Sequence, residues 1–245
     1  MQFGYGSGSS WAIESATNPT PAQFGIMQDT SVDFSKSVKE LTGTYAFPVA
    51  VGVGTAKIAC KAKFARLSGR MINLFFGSSK AAGQVSVAQD EAASVPGSST
   101  YTITVTNSAT WTTDLGVYNA TTGIPLERVA AASEASGKYS VAAGVYTFHS
   151  SDASLAVKLS YVFTIASTGE LVSLANPLIG VASTFKSVLT QNFNSLRNTL
   201  TLNANVFTKF GWGTKLEDFS MKDLDYSSFA DSANNIGTWS MAEKS

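Results

Sequence analysis

Apolar and polar side chains alternate through most of this chain, which limits the fold to one dominated by β-strands. Over residues 84–182 β-branched and aromatic residues prevail, with turn signals at roughly eight- to twelve-residue intervals. Tyr101, Ile103 and Val105 alternate with Thr102, Thr104 and Thr106. Residues 115–126 read as strand, turn and strand, and 139–141, 144–148 and 158–165 as further strands. This pattern predicts a small β-sandwich or enlarged sheet, taken as an inserted β-module over 97–168.

The flanking segments carry longer strands. Residues 24–34 place Ile26, Val32 and Phe34 among polar neighbours, a first strand. In 35–54, Gly43, Pro48, Gly52 and Gly54 interrupt any long helix, while Leu41, Tyr45 and Phe47 mix with charge. That segment is expected to project as a long loop or hairpin. Over 55–64, Ile58, Cys60, Ala62 and Phe64 point one way and Lys57, Lys61 and Lys63 the other. The period then changes. Phe64, Leu67, Met71, Leu74 and Phe75 fall at helical spacing before Gly77, so a helix is predicted over 64–76, packed on a sheet. Strands are expected again over 184–193, 199–206 and 234–241, while 215–226 carries close-set acidic residues. Residues 1–23 are rich in Gly, Ser, Asn, Pro and Thr and read as an N-terminal arm. A core over 24–96 and 169–245 completes the expected organisation.

Charged residues make up 14% of the chain, against ~25% in ordinary soluble domains. Such a surface offers little repulsion between copies and suits a protein that packs against itself. The formal net charge is zero, so no basic excess exists to grip nucleic acid. The single cysteine, Cys60, excludes a disulfide within the chain and falls on the apolar side of its strand. The N-terminus lacks the pattern of a signal peptide. No run approaches the ~18 apolar residues of a membrane helix, so no membrane insertion is expected.

Patterns that would carry chemistry are sparse, and no catalytic, cofactor-binding or metal site is expected. His149 is the only histidine. The run His149-Ser150-Ser151-Asp152 lacks a nucleophile-elbow context and reads as a polar turn. The glycine-rich run at 4–8 has neither a strand before it nor a helix after it, so it fails as a phosphate loop. The one ionic concentration comprises Glu217, Asp218, Asp223, Asp225 and Asp231, interleaved with Lys215 and Lys222 and without calcium-loop spacing. If this region faced a channel, Asp218, Asp223 and Asp225 would repel the phosphates of a passing duplex.

Several segments resemble phage tail tube-type structural proteins. They are Phe24-Gly25-Ile26-Met27-Gln28-Asp29, Val32-Asp33-Phe34-Ser35, Lys39-Glu40-Leu41-Thr42-Gly43, Phe47-Pro48-Val49 and Lys61-Ala62-Lys63-Phe64-Ala65. Near the end, Lys215-Leu216-Glu217-Asp218-Phe219, Asp225-Tyr226-Ser227-Ser228-Phe229-Ala230-Asp231 and Ile236-Gly237-Thr238 look like the same group. The stretches at 114–118, 138–141 and 144–148 are similar to segments of phage structural proteins. The resemblance implies a mainly β fold: a tail-tube-like antiparallel β-sandwich or barrel with one flanking helix and, here, an inserted β-module. It implies six-membered rings whose inner strands join into a continuous barrel, stacked to conduct phage DNA without sequence-specific binding. Lys39, Glu40, Leu41, Tyr45 and Phe47 would then belong to a loop that reaches the adjacent ring. The implied partners are other copies, then tail sheath, tape measure and tail terminator proteins. The implied location is the virion tail, assembled in the host bacterial cytoplasm. Two other readings stay open: a different virion component (decoration or connector-associated), and a carbohydrate-binding or adhesion module presenting Trp111, Tyr118 and Tyr146.

Overall fold

The computed structural model describes residues 6, 8–15, 18–76, 80–174, 176, 178–180, 182–193 and 196–241. Most of the glycine-rich run at 4–8, and Gly77, lie outside these residues. The elements in chain order begin with β1 (Ser9–Glu14), β2 (Ala22–Gln23), β3 (Gly25–Thr42), β4 (Pro48–Arg66) and α1 (Gly69–Phe76). Next come β5 (Lys80–Ser94), β6 (Thr102–Thr104), β7 (Trp111–Asn119), β8 (Glu127–Arg128), β9 (Lys138–Ala142), β10 (Val145–Phe148) and β11 (Ala156–Val172). The last four are β12 (Thr184–Phe193), β13 (Leu196–Trp212), β14 (Lys222–Phe229) and β15 (Gly237–Met241). The protein is thus mainly β, with antiparallel sheets and one α-helix among the described residues. No barrel closes among the described residues.

Two compact units form, 1–80 with 172–245, and 81–171. The expected insert boundary at residue 97 falls after β5, which groups with the second unit. Strand pairing explains this: β5 lies beside β11 in the second unit's three-stranded sheet.

The first unit is an antiparallel sheet ordered β2-β1-β12-β13-β14-β4-β3, with β15 also paired to β13. The segment expected as an arm is therefore partly built into the sheet: β1 pairs β12 from Ser9 opposite Thr190 to Glu14 opposite Phe185. Besides β12, β13 has two partners, which divide its length. Residues 204–212 pair β14, and 198–202 pair β15. Gly237 makes the second pairing close, because a Cβ there would lie 2.0 Å from the Thr201 carbonyl oxygen.

One face of this sheet carries the core. Phe64 is fully buried and stacks on Phe24 at 5.7 Å, and Phe185 stacks on Phe207 at 4.0 Å. Helix α1 buries Met71 and Leu74 and sets Phe75 against Phe207 and Phe210. Each large side chain so buried contributes roughly 2 kcal/mol. The predicted helix over 64–76 starts too early. Phe64 continues the two-residue alternation of Cys60 and Ala62 and pairs with Lys222 of β14, so it belongs to β4; α1 begins at Gly69. Cys60 is buried as expected, and burial pushes its thiol up to about 11, leaving it neutral at ordinary pH.

Asn205 is completely buried in the same unit. Its amide donates to the carbonyls of Phe185 (2.9 Å) and Leu202 (3.1 Å) and to the Ser187 hydroxyl (3.3 Å), while its oxygen accepts from Ser228. It sits beside the register shift between Phe185 and Ser187, where carbonyls leave the regular ladder.

The second unit is a sandwich of the sheets β5-β11-β7 and β6-β10-β9-β8, antiparallel apart from the short parallel pair β8–β9. Its core is separate, and includes Val117, Tyr139, Tyr146, Phe148, Leu159 and Tyr161. At its centre lies Asp114, with a side chain 3% exposed. Its carboxylate accepts from the hydroxyls of Tyr139 (2.7 Å) and Tyr146 (2.9 Å) and from the Gly116 amide (3.1 Å), with the Arg128 guanidinium at 3.8 Å. Burial, together with this carboxylate, raises the titration of both tyrosines well above the ordinary phenol range.

Candidate functional site

The segment over 35–54 is a hairpin. Strands β3 and β4 pair from Gly25 opposite Arg66 to Thr42 opposite Pro48. Among the described residues only the inner part of β4 has a second neighbour, since β14 pairs residues 58–64. Beyond Lys57 the hairpin is a two-stranded ribbon, a structure marginal in water by itself. Gly54 suits the register shift between Lys36 and Val38, because a Cβ there would meet the Ser37 hydroxyl at 2.5 Å.

The chemistry of this ribbon is unusual for a solvated surface. Val51 lies opposite Glu40 and Val53 opposite Val38, so strand alternation puts Val38, Val49, Val51 and Val53 on one face, and all four are exposed. The expected contact residues lie in and around the tip. Lys39, Glu40 and Leu41 pair with Gly52, Val51 and Ala50; Tyr45 and Phe47 occupy the turn, each 82% exposed. Contiguous apolar exposure of this kind marks an interaction surface.

A second exposed apolar segment lies at the other end of β4 and was not anticipated. β13 ends at Trp212 and β14 starts at Lys222, which pairs with Phe64; between them a loop exposes Leu216 (99%) and Phe219 (84%), beside Trp212. Hydrophobic residues without a period among Gly213, Lys215, Glu217 and Asp218 gave no strand or helix signal.

The three acidic residues considered as a channel lining do not form one row. Asp218 lies in this loop, where its carboxylate accepts from Lys215 Nζ (3.2 Å) and the Phe219 amide (2.8 Å); these bonds hold its pKa below the ordinary aspartate value. Asp223 and Asp225 lie on β14, on the face opposite buried Leu224 and Tyr226. Their partners are cross-strand lysines. Asp225 is in register with Lys209 on one side and Lys61 on the other, and Asp223 with Lys63, their charged atoms 4.0 Å apart. Asp29 adds a further carboxylate opposite Lys63. The face is thus a ladder of alternating charge, with a shallow recess of about 250 Å³ between the side chains. Asp225→Lys would set three lysines side by side and is expected to destabilise the unit by about 0.5–1 kcal/mol. Urea unfolding at low salt checks this, and the loss should shrink as salt is added.

The other sequence candidates are structural in place. His149 caps a short 3-10 turn by accepting the Ser151 amide proton at Nδ1 (3.2 Å), and Asp152 accepts from Gly137 and Ser136. Tyr146 is fully buried against Asp114, so Trp111, Tyr118 and Tyr146 do not form one exposed aromatic platform. Among the described residues no group of three or more His, Cys, Asp or Glu side chains is placed to hold a metal ion, and no helix is long and apolar enough to cross a membrane. No protein-family model matches the chain, and no curated protein matches it.

Proposed function

We propose that this chain is the structural subunit of a bacteriophage tail tube, polymerising as stacked six-membered rings around a DNA channel. The observation that carries the reading is the β3–β4 ribbon, whose valine face and aromatic tip have no cover among the described residues. A ribbon of this composition gains stability only when another surface buries it. Sheet edges support the same reading. Strand β3 is long and ends the sheet order, offering unpaired backbone groups to a neighbour. Low overall charge removes the repulsion that would keep copies apart.

The subunit then acts by packing and performs no chemistry. The charge ladder around Asp223 and Asp225 suits a wall that DNA passes without sticking, since each carboxylate is offset by a lysine. Concentration-dependent light scattering tests assembly. A sharp critical concentration, above which particles grow while free subunit stays constant, is expected; scattering that stays at the monomer value at every concentration would contradict the proposal.

A further inference from the structure

We infer that the loop from Trp212 to Phe219 is the receiving surface for the β3–β4 hairpin of a second copy of this chain. The inference rests on the tube-subunit reading and adds the acceptor to it. Strand β4 runs nineteen residues, from the hairpin tip at Pro48 to Arg66, a span of roughly 60 Å at ~3.3 Å per residue. The loop adjoins its far end, because Trp212 pairs with Lys222, and Lys222 with Phe64. A subunit's own extended hairpin therefore points away from its own loop. Only a second copy can bring the two together.

Both segments expose large apolar side chains: Tyr45 and Phe47 at the tip, Leu216 and Phe219 in the loop. Their charges are complementary. The ribbon carries Lys36 and Lys39 against Glu40; the loop carries Glu217 and Asp218 against Lys215, which is bonded to Asp218. Apolar contact provides the attraction and the opposed charge sets the orientation. Because the two surfaces differ and lie at opposite ends of one strand, their contact is heterologous and propagates from copy to copy along an axis.

The test pairs Tyr45→Cys with Leu216→Cys in the full chain, where Cys60 stays buried and unreactive. Mild oxidation of assembled protein should give a ladder of covalent dimers, trimers and longer chains, with no ladder from either single variant. Independently, Glu217→Lys with Asp218→Lys should raise the critical concentration at least tenfold, and adding Lys36→Glu with Lys39→Glu should bring it back. Polymers that form normally in the charge-reversed protein and give no ladder from the cysteine pair would overturn the acceptor assignment alone. A wild-type chain that never polymerises would overturn the tube reading and this inference with it.

Discussion

Deleting residues 40–47 is expected to leave a folded subunit that does not polymerise. The deletion joins Lys39 to Pro48, so that four residues, Pro48 to Val51, span between Lys39 and its partner Gly52. Four-residue hairpin loops of this kind are common. The removed residues include Leu41, Tyr45 and Phe47, all exposed, and none belongs to the core. Thermal unfolding should therefore change by no more than about 1 kcal/mol, within the range of surface changes. Assembly should fall below detection, because the aromatic tip is the part of the ribbon that reaches furthest from the sheet. Circular dichroism and scattering on the same sample separate the two outcomes. Normal polymers from the deletion would show that the hairpin tip takes no part in assembly.

The second large effect concerns stability. Asp114→Ala should destabilise the 81–171 unit by about 3 kcal/mol, because the hydroxyls of Tyr139 and Tyr146 lose their acceptor while staying buried. For a domain of this size that lowers Tm by roughly 15 °C. The 1–80 and 172–245 unit has its own core of buried residues, distinct from the cluster that includes Tyr139 and Tyr146. Calorimetry should accordingly show one transition shifted and the other unchanged, and polymerisation should persist. A single transition that moves as a whole would mean that the two cores unfold together.

Much of this fold was legible in the alternation of side chains. Cys60, Ala62 and Phe64 lie on the buried face and Lys61 and Lys63 on the exposed one, as two-residue periodicity requires. The helix was found but begun too early, since Phe64 satisfies a strand period on one side and a helical period on the other. The glycines between 43 and 54 obscured β-pairing. They discourage a helix, yet a ribbon tolerates them, and Gly54 suits a register shift. Asp114 could not be recognised, because a lone aspartate in a strand gives no sign of the two tyrosines that the fold brings to it from β9 and β10. The acidic residues showed their positions along the chain but not their neighbours. Strand pairing set lysines beside Asp223 and Asp225, and left Asp218 in a loop with Lys215.

Self-assembly through the hairpin is tested most directly by electron microscopy of the purified chain. Hollow tubes of stacked rings, with a lumen wide enough for a DNA duplex, are the predicted result. A dispersed monomer that binds glycans and forms no tubes at any concentration would contradict it.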